Sequence, residues 1–135
     1  MKTIVVLDTN IFISAVFWEG KPYIVVKKAI NQEVIVFISN YIIDEIRKVL
    51  ARDFNIEKQE IDDLVNAVLY FTHLIKPKES VKVIKDDQKD DKILDCAIAC
   101  KADFIISQDN HLLNLKSFRG IKIASPEEFL KTLNR

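Results

Sequence analysis

Four short apolar runs rich in β-branched residues narrow the architectures open to this chain: Ile4–Leu7, Val34–Ile38, Phe104–Ser107 and Ile121–Ala124. Each has the length of a strand, and their apolar residues run together instead of alternating strictly with polar ones, the mark of strands buried on both faces. Between them lie helix-length stretches with apolar residues at helical spacing, at Ile11–Phe17, Tyr23–Asn31, Ser39–Asp53, Ile56–Thr72 and Asp87–Lys101. Such alternation predicts an α/β fold, a three-layer α/β/α sandwich around a mostly parallel sheet. Right-handed crossovers then place the carboxyl ends of the parallel strands on one edge. Open α/β sheets bind their ligands at that edge. Two helix starts are marked. In "SPEEF", Ser125 is the N-cap, Pro126 the first helical residue and Glu128 the capping-box partner. In "DQKD", Asp87 is the N-cap.

The 135 residues show no repeat or linker, so a single domain over 1–135 is expected. Twenty basic and 20 acidic side chains give zero formal charge. A polyanion would therefore have to be met by a local patch or by bound cations. Ile4–Leu7 is too short for the apolar core of a leader peptide, and no run has the length of a membrane span. Cys96 and Cys100 lie four apart on one helical pattern, which reads as two small core residues in a reducing cytoplasm.

Acids at strand ends carry the functional signal. In "TIVVLDTNIF", Asp8 terminates the first run, and in "SQDNHLL", Asp109 follows the third by a few residues. Parallel strands put both on the same edge. Either could simply cap the helix that follows. In "SNYIIDEIRKVL", Glu45 lies at the border of the apolar stripe and Asp44 points to water. Glu45 could equally pair with Lys48 or Lys101. In "DQKDDKILDCAIAC", Asp90 shares the inward stripe of Ile93, Leu94 and Ala97, whereas Asp91 and Asp95 share another face. Carboxylates converging in this way suit a hard divalent cation. Such a cation could activate water and stabilise charge in phosphoryl displacement, and it would offer a phosphate a positive target.

These residues resemble the PIN domain family. "VLDTNIFIS" is similar to its first motif, with Asp8 as acid and Asn10 as companion, and "IIDEIRKVLAR" to its second, carried by Glu45. The stretch from Asp87 through "SQDNHLL" resembles the third and fourth, ending in Ser107 and Asp109. "IKIASPEEFL" looks like the closing strand and helix of the branch described as toxin components. The resemblance implies a Mg2+- or Mn2+-dependent endoribonuclease, often a homodimer, and commonly the toxin of a toxin–antitoxin pair. It implies Asp8, Glu45, Asp90 and Asp109 as catalytic and metal-holding residues, with Asn10 and Ser107 orienting them. Alignment to distant members would make Asp91 the third acid; the stripe favours Asp90.

Other residues stay outside this reading. His111 is two residues beyond Asp109, and His73 has no acidic neighbour in sequence. Trp18 precedes an expected Gly20–Pro22 turn and could stack a base, anchor a partner or pack under a loop. Lysines are densest from Lys76 to Lys85 and read as a solvated loop. Ile61, Leu64, Val68 and Leu69 form an amphipathic stripe suited to dimerisation. Two rival classes are a phosphoacceptor receiver domain and a binding module without turnover. The first is disfavoured because no aspartate follows the second run.

Overall fold

The four runs become strands, and two shorter strands join them. The computed structural model describes residues 1–84 and 88–133. Its strands are β1 (Ile4–Leu7), β2 (Ile35–Ile38), β3 (Thr72–Leu74), β4 (Phe104–Ile106), β5 (Ser117–Phe118) and β6 (Ile121–Ala124). Its helices are α1 (Thr9–Phe17), α2 (Lys21–Ile30), α3 (Asn40–Phe54), α4 (Lys58–Phe71), α5 (Gln88–Cys100), α6 (Asn110–Leu113) and α7 (Pro126–Leu133). The sheet order is β3-β2-β1-β4-β6-β5, with every described pair parallel except β5–β6. Helices flank this sheet in the expected α/β/α arrangement.

Burial explains why the central strands are apolar without alternation. Val5, Val6, Val36, Ile38, Ile105 and Ile106 are all fully covered. The helical stripes close the layers from outside through Val25, Ile42, Leu50, Leu94, Ala97 and Phe129. At roughly 25 cal/mol per Å2 of apolar surface removed from water, each such Ile or Leu contributes about 2 kcal/mol.

Strand order fixes where a ligand can sit. From β1 the chain moves outward through β2 to β3, then returns across the sheet to β4 and continues to β6 on the other side. The direction of winding therefore reverses between β1 and β4, and a crevice opens beyond their carboxyl ends at such a point. Asp8 is the residue after β1, and Ser107 the residue after β4.

Several local expectations need correction. Thr72 opens β3 instead of closing the preceding helix, and β3, β5 and α6 were not expected at all. Gly20 is the N-cap of α2, with Pro22 in its first turn, so the expected Gly20–Pro22 turn is a helix start. The stripe assigned to dimerisation is largely used within the chain. Ile61 and Val68 are buried, Leu64 packs against the core, and Leu69 is exposed. The capping box is present as read: the Ser125 N–H donates to Glu128 Oε1 and the Glu128 N–H to Ser125 Oγ, both at 3.2 Å. Asp87 and Lys85 lie outside the described residues. Five described non-glycine residues have left-handed backbone, Gln32, Asn55, Lys101, Lys116 and Arg119, at φ of 50° to 64°.

The cysteines behave as core residues. Cys96 and Cys100 are buried and reduced. Burial pushes the Cys96 thiol up to about 12 and the Cys100 thiol up to about 11, from an ordinary value of 9.0. The unfolded chain loses these protons first, so folding stability should decline as pH climbs above 9 towards 11–12. Native protein at pH 8 should resist iodoacetamide and take up two labels only after unfolding in guanidinium, counted by mass. Rapid labelling of the native chain would contradict this packing.

Candidate functional site

The parallel register of β1 and β4 builds one wall of the crevice. Leu7 lies opposite Ile106, and the Asp8 N–H donates to Ile106 O at 3.0 Å. One residue further, the Ser107 hydroxyl donates to Asp8 Oδ2 at 2.7 Å and accepts the Asp109 N–H at 2.9 Å. Ser107 is fully buried, so this hydroxyl is a fixed link between the two strand-end acids. Asp8 occupies the N-cap position of α1, but its side chain makes no capping bond. Its carboxylate is held across the sheet instead. Asp109 does both: its Oδ1 accepts the His111 N–H at 2.8 Å, capping α6, while the residue lines the crevice.

Two helices supply the opposite wall. The Ser39 side chain accepts the Ile42 N–H and starts α3 directly after β2. Glu45 then falls on the inward face and is buried, while Asp44 is exposed. The basic partner of Glu45 is Lys89, at 3.8 Å, and not Lys48 or Lys101. Lys89 had no part in the sequence reading, because one lysine inside an acidic helix start carries no signal of its own.

Helix α5 separates its acids by face. Asp90 is buried in line with Ile93, Leu94 and Ala97 and lines the crevice. Asp91, the alternative third acid, is not among the residues that line it. Its Oδ1 accepts the N–H groups of Val83 and Ile84 at 3.0 and 2.9 Å. Asp95 likewise accepts the Val81 N–H at 2.8 Å. These two acids pin the incoming segment to the helix, each through its Oδ1.

Asp8, Glu45, Asp90 and Asp109 thus line one cleft of about 230 Å3, with Asn10 at its exposed mouth. A larger cavity of about 590 Å3 lies at the amino-terminal end of β2 and β3, and no carboxylate lines it among the described residues. The chemistry favours the smaller space. His111, set aside from sequence, lies beside two of the acids that line it: Nδ1 is 3.9 Å from Asp90 Oδ2 and 3.7 Å from Asp109 Oδ1. Ligand atoms of Asp90, Asp109 and His111 all lie within 4.8 Å of one another.

Charge in the cleft is unbalanced. Among the described residues five carboxylates line it (Asp8, Glu45, Asp53, Asp90 and Asp109) against Arg52 and Lys89. Arg52 is engaged by Asp53 through bonds of 2.7 and 3.1 Å. That pairing raises the guanidinium pKa and holds the Asp53 carboxyl below its ordinary range. Two unit charges about 5 Å apart at an effective dielectric of about 20 repel by roughly 3 kcal/mol before solvent screening. The cleft is therefore short of positive charge. Its donors are oxygens, with one imidazole nearby and both thiols in the core, a set that fits a hard divalent ion.

Comparison with known proteins agrees with this architecture. The profile of the PIN domain family matches residues 4–111. No curated protein matches the sequence. Among solved structures, VapBC2 from Rickettsia felis, bound to a DNA fragment from their promoter, is similar at a TM-score of 0.65 and 15% identity, over 90% of this chain and 97% of that one. The PIN domain of RRP44 from T. brucei is similar at a TM-score of 0.55 and 10% identity, over 99% of this chain and 82% of that one.

Neighbouring acids on α5 should respond oppositely to substitution. In metal-free buffer, Asp90→Asn should raise unfolding stability by roughly 1 kcal/mol, a fraction of the repulsion relieved. Asp91→Ala should lower it by about 1.5–3 kcal/mol, the range for hydrogen bonds to a charged group. Urea denaturation of both variants checks the pair. Equal losses would mean that Asp90 is a structural anchor as well.

Proposed function

The chain belongs to the PIN domain family, and from that premise we propose that it is a divalent-metal-dependent endoribonuclease hydrolysing RNA phosphodiesters. The observation that supports this most is the meeting of Asp8, Glu45, Asp90 and Asp109, drawn from four separate segments, in one cleft at the reversal of strand winding. On this reading the four carboxylates would hold Mg2+ or Mn2+. When bound, the cation supplies positive charge for the phosphodiester and lowers the pKa of water.

The chain's own groups do the positioning. Ser107 fixes the orientation of the Asp8 carboxylate and, through the Asp109 backbone, the turn that carries the fourth acid. Asn10, at the mouth beside Asp8, helps to orient the acids and the substrate. His111 shares the rim with Asp90 and Asp109 and can donate to an incoming phosphate oxygen. Lys89 offsets part of the charge on Glu45. The zero net charge of the chain then poses no obstacle to an RNA substrate, because the attraction is local.

The resemblance of the closing strand and helix to a toxin branch supports a role as the toxin of a toxin–antitoxin pair. The same reading makes residues 1–135 a single domain, active in the cytoplasm as a homodimer and restrained by an antitoxin protein. No described helix is long and apolar enough to cross a membrane.

The test is cleavage of labelled RNA with and without magnesium or manganese. Asp8→Asn should lower metal-dependent cleavage by at least about 100-fold. Ser107→Ala should weaken apparent metal affinity by roughly 10- to 100-fold, the usual effect of losing a group that orients a metal ligand. Cleavage by Asp8→Asn at the wild-type rate would overturn the proposal.

A further inference from the structure

Next to the acidic cleft runs a second, more open groove of about 420 Å3, walled on one side by Trp18 and Phe54. The two spaces are continuous, since Asn10, Val49, Asp53 and Asp109 line both. Trp18 is 58% exposed, an unusual placement for the largest apolar side chain. It is nonetheless held firmly. Phe17 and Phe54 stack in parallel at 4.3 Å, and the indole stands edge-on against both rings, at 5.9 and 6.0 Å. An indole held against two stacked rings and still more than half exposed is a platform already ordered before anything binds.

We propose that this groove is a stacking subsite for one unpaired base of a single-stranded nucleic acid whose adjoining phosphate lies at the acidic cleft. The inference rests on the nuclease reading of that cleft. Three observations select a base as occupant. Among the described residues the charged groups of the groove are the carboxylates Asp53 and Asp109, which do not attract a phosphate and leave a neutral base unaffected. The groove also carries hydrogen-bonding groups suited to a base edge: Asn10, and Gln108 linked to Ser14 at 3.5 Å. Finally, the cations lining the cleft among the described residues, Arg52 and Lys89, are both engaged by carboxylates, so backbone contacts supply little affinity. Where phosphate contacts are sparse, stacking must supply the grip on a single strand, and it does so with little regard to sequence. A base inside a duplex has no free face to offer, so the subsite selects unpaired substrate.

Trp18 is the only tryptophan of the chain, so its fluorescence reports the subsite directly. Full-length protein with magnesium would be titrated with an unpaired oligoribonucleotide, the same sequence as a duplex, and an abasic strand. Emission should be quenched by the first and left unchanged by the other two. In cleavage assays Trp18→Ala should raise KM by roughly 5- to 100-fold with little change in kcat, the range expected for one lost base stack. Trp18→Phe should restore most of the KM. Unchanged emission together with wild-type KM in Trp18→Ala would overturn the subsite while RNA cleavage still upheld the nuclease. Quenching without cleavage under any metal would uphold the subsite and remove the nuclease. An indifferent Trp18 whose replacement by Ala converts a sedimenting dimer to monomer would assign the ring to a second copy of the chain, and would also overturn the proposal.

Discussion

Mutual repulsion among acids crowded into one cleft is the constraint that the rest of this fold is arranged to withstand. A carboxylate that is buried without compensation either takes up a proton or moves away. Here each acid is held by something rigid. The serine hydroxyl between β1 and β4 ties two of them to the two central strands. Helix α3 starts on its own serine cap immediately after β2 and carries Glu45 inward. Helix α5 is clamped by Asp91 and Asp95 to the segment that precedes it, which fixes the helix that delivers Asp90. The scaffold thus holds the cluster in place before any cation neutralises it.

The same three devices show which parts of the architecture could be read from residues alone. Asp8, directly after one apolar run, and Asp109, shortly after another, could be placed at the sheet edge from sequence, because a carboxylate is costly inside the layers that such runs build. Asp90 was separated from Asp91 by helical periodicity, and its partners Ile93, Leu94 and Ala97 are buried as that spacing requires. What stayed hidden depends on contacts between distant segments. Strand β3 continues the apolar pattern of α4 without a break in composition, and only pairing with β2 makes it a strand. Lys89 meets Glu45 where α5 faces α3, and His111 meets Asp90 where α6 faces α5, and no spacing along the chain announces either contact. Phe54 reaches Phe17 across 37 positions of sequence for the same reason.

Neutral overall charge takes on a specific meaning against this background. Positive and negative side chains are equal in number across the chain, yet the cleft is strongly anionic. The excess of base must lie elsewhere on the surface, so the potential that guides a polyanion would be shaped by bound cations at one point. Affinity for such a partner would then depend on divalent ion concentration more steeply than on the lysine content of the domain.

The left-handed residues carry a further consequence. The chain has only two glycines, yet Gln32, Asn55, Lys101, Lys116 and Arg119 all adopt the conformation that glycine tolerates best. Each accepts a local penalty of about 1 kcal/mol in the native state. Each also narrows the range of shapes available to the denatured polypeptide, which recovers part of that penalty. Connections built in this way owe their shape to the packed elements on either side, and they are stiffer when unfolded than glycine-rich joints would be.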